Sequence, residues 1–331
     1  MRTFQRLMRA YNNADTIEID ENSKYVFMSD VHRGNGGISD EFSKNRNTYI
    51  HAMRHYYKNG FTYVEVGDGD ELWEANHMNV IQEAHTDAIE EMKRFFDDGR
   101  MIMLYGNHNM NIRKPEYVRK HYDRYFNEYT EEYVDLFPGM EVHEALIFKK
   151  KQTDQEIFVV HGHQGDVAND QLWFLTMISL KYFWRHLRAF GIKSPASPIK
   201  NIFKRHKIER NYVKWIARNR MMLICGHTHR FKYPRSDELP YFNTGCCTYP
   251  TTITSIELEN GEISLIRWKV LVNDEGINQV QRMVLQGPKP IEQFDLRNLD
   301  EASIQALLRA SYEDVRTARQ TVEGQEVTKD S

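Results

Sequence analysis

The chain reads as an α/β protein built around central sheets, and three observations predict it. Short apolar runs rich in Val, Ile, Tyr and Phe recur along the sequence, with the length and composition of buried strands. Helical-looking stretches separate them, which is the alternation of an α/β fold. Each run also ends in residues capable of chemistry, and in such folds active sites gather at the carboxyl ends of strands.

Taken in order, Tyr25-Val26-Phe27-Met28 leads into Ser29-Asp30-Val31-His32, and Tyr63-Val64-Glu65-Val66 leads into Gly67-Asp68. Residues 101–105 lead into Gly106-Asn107-His108, 157–160 into His161-Gly162-His163, and 221–225 into Gly226-His227-Thr228-His229. The spacing predicts helices over 42–57, 80–96 and 115–133. Tyr241-Phe242-Asn243-Thr244-Gly245 is a further strand ending in small polar residues. Residues 252–258 and 262–270 flank Asn260-Gly261, a strong hairpin signal. A last helix is expected over 300–322, followed by a polar tail. No internal repeat is evident.

Bulk properties narrow the class. A chain of 331 residues, 40% hydrophobic and 12% aromatic, can fill one large domain or two small ones and is not dominated by disorder. A net charge of -3 gives no global field toward nucleic acid. Three cysteines, Cys225, Cys246 and Cys247, argue against a disulfide framework and suit a reducing compartment. The first twenty residues lack the apolar core of a signal peptide, and no run reaches the roughly 18 apolar residues of a membrane span. The expected location is cytoplasmic, with peripheral contact at the inner membrane surface.

The polar run-ends make a metal-ligand set. A hydrolytic two-metal site needs hard oxygen donors and imidazoles, with one carboxylate shared between the ions. Asp30 and His32, Asp68, Asn107, His161, and His227 and His229 supply that set in order. On an extended strand end, residues two apart point to the same side, so each Asp-x-His or His-x-His pair can converge on one point.

Asp30-Val31-His32, Gly67-Asp68-x-x-Glu71, Gly106-Asn107-His108, His161 and Gly226-His227-Thr228-His229 together resemble the motif set of the calcineurin-like metallophosphoesterases. The resemblance spans roughly residues 25–270. It implies a four-layer αββα sandwich over residues 1–290, with a C-terminal helix and polar tail over 291–331. It implies two divalent ions, with Mn²⁺ best suited to the mixed donors and Fe or Zn as alternatives. Asp30, His32, Asp68 and His229 would hold one ion; Asp68, Asn107, His161 and His227 the other. His108 would act on the leaving oxygen and Glu71 would orient it. Asp70 is a second candidate for that orienting role, because Asn109 stands where the family often has an acid. A water shared by the ions would attack phosphorus. Arg33, Asn107, His163 and Arg230 are candidates for holding substrate.

Residues 168–220 form a basic, aromatic, helical insert. Its architecture is similar to that of the UDP-2,3-diacylglucosamine pyrophosphatases, which use such an insert to hold acyl chains, although that group usually has Arg at the position of His108. The expected substrate is therefore a phosphorylated small molecule or a lipid-linked nucleotide, with the insert as a lid or peripheral membrane contact. Ordinary packing of a helical hairpin is the rival reading of the insert, and a nucleic-acid platform the weakest. A protein phosphatase, a nucleic-acid phosphodiesterase and a non-catalytic scaffold are the alternative functions; a scaffold should lack ligands, and here every position is filled.

Overall fold

The computed structural model describes residues 2–73, 78–127, 130–166 and 202–313. Most of the basic, aromatic insert, and the tail beyond residue 313, lie outside these residues. The N-terminal half runs α1 (Arg2–Asn12), β1 (Asp15–Ile19), β2 (Lys24–Met28), α2 (Arg46–Lys58), β3 (Thr62–Val66), α3 (Met78–Ala84), α4 (Thr86–Asp97), β4 (Met101–Leu104) and α5 (Pro115–His121). Then come β5 (Arg124–Asn127), β6 (Glu132–Asp135), β7 (Val142–His143), β8 (Ala145–Lys150), β9 (Glu156–Val160) and α6 (Ile202–Asn219). The chain continues through β10 (Met222–Cys225), β11 (Tyr241–Asn243), β12 (Thr252–Glu259), β13 (Glu262–Val272) and β14 (Asn278–Pro290) to a helical stretch over 301–313.

Two sheets organise these strands. One has the order β1-β8-β9-β10-β11, the other β14-β13-β12-β2-β3-β4-β7. Period-two alternation along the strands sends neighbouring side chains into different layers. Phe27, Val64 and Leu104 face inward, against Leu146, Val159 and Ile224 of the other sheet. Their neighbours Val26, Tyr63 and Met103 face outward, against Met53, Tyr56, Ile89 and Phe95 of α2 and α4. On the opposite outside, Ile147, Phe158 and Leu223 pack on Leu7 of α1, on Ile208 and Trp215 of α6, and on Ile304. Three apolar layers between four layers of structure make the αββα sandwich. Each fully buried large apolar side chain contributes about 1.5–3 kcal/mol over exposure. The strands are therefore held on both faces, which is why they read as continuous apolar runs.

β2, β3, β4 and β7 run parallel, as do β9, β10 and β11. The β12–β13 hairpin forms as its Asn-Gly signal predicts, with Asn260 at φ 55° and Gly261 at φ 72°. Two expected helices are shorter than their patterns. The 80–96 stretch breaks at His85, whose Nε2 lies 2.7 Å from Asp40 Oδ2 and whose backbone leaves the helical region. The 115–133 stretch is helical only to His121; aromatic-rich β5 then pairs with β6 as a small hairpin. Strand β8 carries no chemical residue at its end because it runs antiparallel to β9, so its carboxyl end faces the opposite edge. Among the described residues no helix is long and apolar enough to cross a membrane.

Candidate metal centre

The carboxyl ends of β2, β3 and β4 in one sheet meet those of β9 and β10 in the other. The ligand candidates gather along that edge. Asp30 Oδ1 lies 3.0 Å from His229 Nε2 and 3.8 Å from His32 Nε2. The two imidazole Nε2 atoms of His32 and His229 are 3.3 Å apart. Asp68 Oδ2 lies 3.1 Å from His161 Nε2. Two triads thus present donor atoms within 4.8 Å of one another, Asp30–His32–His229 and Asp68–His161–His227.

The pairs converge, but not by strand alternation. Asp30 and His32 both sit at φ 51°, Asp68 at 52°, His227 at 66° and His229 at 56°. These are left-handed conformations, uncommon outside glycine, and Asp and His are among the residues that tolerate them best. Ten described non-glycine residues have positive φ, and half of them are these ligand candidates, so backbone strain concentrates at the site. The loops bend out of the sheet, and the side chains meet because the chain turns rather than because it stays extended.

Close packing explains two glycines of the motifs. A Cβ on Gly106 would lie 2.1 Å from Asp68 Oδ1, and one on Gly226 would lie 2.4 Å from Asp30 Oδ2. Backbone donors complete the support. The His108 N–H donates to Asp68 Oδ1 at 2.8 Å, and the His227 N–H to Asp30 Oδ2 at 2.9 Å. The Nδ1–H of His161 donates to the Val66 carbonyl at 2.8 Å, which leaves Nε2 free to ligate. Burial opposes the charge on Asp30, yet His229 and His161 hold its carboxyl well below the usual carboxylate range. Asp68 is lowered too, by His161 and His108 against the same burial.

The donor set fits a cation. Asp30 Oδ1, both side-chain atoms of Asn107, His161 Nε2 and His227 Nε2 are buried and make no hydrogen bond. An unsatisfied buried polar group costs about 1–3 kcal/mol, and four of these atoms, Asp30 Oδ1, Asn107 Oδ1, His161 Nε2 and His227 Nε2, can offer lone pairs to a cation. His227 Nε2 also lies 3.7 Å from Asp166 Oδ2, a carboxylate that the sequence pattern had not singled out.

His108 stands beside this edge. Its Nδ1 is 2.9 Å from Glu71 Oε1, and Glu71 Oε2 is 2.8 Å from His32 Nδ1. One carboxylate therefore anchors both a ligand candidate and the candidate acid. Burial opposes the Glu71 charge, but His108 and His32 bring its pKa down to about 2. Trp73 stacks on the His108 ring with centroids 4.0 Å apart and planes at 25°, and His32 meets the ring edge-on at 4.7 Å. Trp73 lies two residues past the Gly-Asp-x-x-Glu segment, and nothing in the spacing assigns it this place.

Two expectations are corrected. Arg33 does not face a phosphate. It is fully buried, forks onto Glu65 with two bonds of 2.8 Å, and donates through Nε to Asp70 Oδ1 at 2.7 Å. Burial works against its charge, and Asp70 and Glu65 outweigh it, so the guanidinium is spent inside the fold. Asp70 does not orient His108: its carboxylate takes Arg33 and the Tyr122 hydroxyl, the latter at 2.8 Å. Asn109 explains the missing acid, since its Oδ1 accepts the Gly106 N–H at 2.6 Å and closes the turn instead. His163 is buried beside His161, rings 5.5 Å apart, and burial, with His161 and His227 nearby, holds its pKa well below the usual imidazole range. Arg230 keeps its side chain about one-fifth exposed, with Nη1 3.1 Å from Glu209 Oε2.

No protein-family model matches the chain, and no curated protein matches it. Among solved structures it is similar to a conserved uncharacterized protein, a predicted phosphoesterase, from Streptococcus pneumoniae, at 10% identity and TM-score 0.30 over 79% of this chain and 97% of that one. It is similar to Chaetomium thermophilum Vps29 at 8% identity and TM-score 0.35, over 82% of this chain and all of that one. It is similar to a structure described as a 5'-nucleotidase from Staphylococcus aureus in complex with alpha-ketoglutarate, at 15% identity and TM-score 0.32, over 88% of this chain and 58% of that one. Scores this low do not bear on activity; the site rests on its own geometry.

Proposed function

We propose that the chain is a metal-dependent phosphoesterase of the calcineurin-like kind, hydrolysing a phosphate ester or pyrophosphate at the edge where the two sheets meet. The observation that carries this is the convergence of Asp30, His32 and His229, and of Asp68, His161 and His227, within 4.8 Å, with buried atoms of Asp30, Asn107, His161 and His227 that make no hydrogen bond. Asp30, His32 and His229 would hold one divalent ion, Asn107, His161 and His227 the other, and Asp68 would serve both. Such ions supply charge stabilisation to phosphoryl oxygens and an activated water at neutral pH. Mn²⁺ suits the mixed oxygen and imidazole donors, with Fe and Zn as rivals.

The chain's own residues divide the remaining work. Glu71 accepts from His108 Nδ1–H, which fixes the tautomer and turns Nε2 toward the open side. In its doubly protonated form His108 would give the Nε2 proton to the leaving oxygen and be left as the Nδ1–H tautomer that Glu71 holds. Trp73 covers one face of the ring and keeps water off it. Arg230, anchored by Glu209 yet partly exposed, and His163, beside His161, border the site and would bind phosphoryl oxygens. A lipid-linked substrate and membrane contact remain attached to the insert, largely outside the described residues.

The test is metal analysis of the purified protein with p-nitrophenyl phosphate and bis-p-nitrophenyl phosphate hydrolysis. Wild type should carry two ions and cleave at least one ester. Asp68→Ala should lose metal and activity together. His108→Ala should keep its metal while kcat falls by about 10²–10⁴-fold. Retained hydrolysis and two ions in Asp68→Ala would sink the assignment.

A further inference from the structure

Helix α6 carries two buried polar groups beside the ligand loops, Tyr212 and Glu209, and the chemistry above uses only the second, as the anchor of Arg230. The Tyr212 hydroxyl is fully buried and donates to the Gly162 carbonyl, directly after His161. Gly162 sits at φ 111°, and a Cβ there would lie 2.7 Å from the Tyr212 oxygen and 3.4 Å from His227 Cβ. The hydroxyl, Gly162 and His227 are therefore packed in direct succession. Glu209, also fully buried, accepts from Arg230 Nη1 at 3.1 Å and from Thr228 Oγ1 at 3.5 Å. Thr228 lies between His227 and His229, and its hydroxyl also takes the Asn243 amide at 3.1 Å. Residues 209 and 212 are three apart, so they neighbour each other on one helix face. The flanking Ile208, Val213 and Ile216 are plain core residues. A carboxylate and a hydroxyl among them cost desolvation unless their partners stay in place, and those partners lie on the two ligand loops of one sheet.

The Asp30–His32 loop is tied instead to the loop after β3. The Asp30 and His32 N–H groups donate to the carbonyls of Gly67 and Asp68 at 3.1 and 3.0 Å. His32 Nδ1 is held by Glu71.

We propose that α6 is a clamp on one half of the site: Tyr212 and Glu209 position the loops of His161 and His227, and thereby set the affinity of the ion held with Asp68 and Asn107. The clamp rests on the two-ion reading above. Both are positioning residues, one step removed from the metal.

The experiment is calorimetric Mn²⁺ titration of the metal-free full-length protein, with bound-ion stoichiometry after dialysis. His161→Ala identifies the isotherm of the ion in question. Tyr212→Phe should weaken that ion by about 10–100-fold, the usual effect of removing an outer-shell support, and leave the other as in wild type. Glu209→Gln should weaken the same ion more than the one held with His229, which its partner Thr228 also adjoins, and serves if Tyr212→Phe folds poorly. Tyr11→Phe is the control, since it deletes a hydroxyl bonded to Glu156 Oε2 at 2.7 Å on the same outer face. Its isotherm should match wild type. Two ions in wild type with unchanged isotherms in both α6 variants would overturn the clamp. Equal weakening of both ions would overturn it too, because that reports general loosening. Fewer than two ions in wild type would instead remove the two-ion reading.

Discussion

The loops Asp30-Val31-His32-Arg33 and His227-Thr228-His229-Arg230 are built alike and end differently. Each follows a parallel strand, places two ligand candidates in the left-handed region, and closes on an arginine. In the first, the residue between the ligands is apolar and buried, and the arginine turns inward onto Glu65 and Asp70. In the second, Thr228 is tied to Asn243 and Glu209, and the arginine stays partly in solvent. The same local pattern thus gives a fully buried cation in one place and a partly exposed one in the other. The difference lies in the neighbours. Glu65 projects from β3 beside the first loop, and Tyr63 and Tyr122 add hydroxyls to its carboxylate cluster. The α6 carboxylate Glu209 meets the second.

The contrast can be broken first at Arg33. Arg33→Leu leaves Glu65 and Asp70 buried without their cation, and should cost about 3–5 kcal/mol in urea unfolding. A loss below 1 kcal/mol would show that the cluster is not the reason the arginine turns inward.

Asp40 sharpens the contrast at the way out of the first loop. Its carboxylate holds His85 Nε2 at 2.7 Å and the Gly36 N–H at 2.8 Å. Burial opposes its charge, but these bonds lower its pKa. A lowered carboxyl stabilises the fold above its unfolded value of about 3.9, and that contribution is lost as pH falls through the folded value. Asp40→Asn should cost about 1.5–3 kcal/mol at pH 7, with the gap to wild type closing below about pH 4. A gap independent of pH would mean the aspartate acts by shape alone.

Trp73 belongs to the wall that the first loop faces. Trp73→Leu should lower kcat about tenfold, near 1.4 kcal/mol of barrier, with metal content unchanged, and more for alkyl than for p-nitrophenyl leaving groups. Equal losses for both would reduce the stack to packing. A smaller stability effect than at Arg33 is expected at Arg230, where Arg230→Leu removes one of several cations near buried Glu209 and should cost about 1–3 kcal/mol in unfolding while raising KM. A loss matching that of Arg33→Leu would erase the distinction between the loops.

Much of this molecule follows from local chemistry. The apolar runs before Asp30, Asp68, Asn107, His161 and His227 announce strands, because a strand buried on both faces admits little else. Asn260-Gly261 announces its turn because both residues accept positive φ. The seven ligand candidates were legible because hard donors at successive strand ends are improbable without a shared centre. Strand β8 and the helix break at His85 were not legible, since one lacks a chemical ending and the other depends on an aspartate 45 residues away.

The sequence by itself determined which residue types arrive at the edge, and in what order. Only the tertiary structure decided what each one faces. Arg33 and Arg230 follow the same motif, Asp70 and Glu71 are adjacent, and Trp73 looks like any core aromatic. Their roles separate because long-range packing brings Glu65, Tyr122, His108 and Glu209 to particular sides. A buried charge or ring takes its meaning from the partner within about 3–4 Å, and that partner is set by the fold rather than by neighbours in the chain.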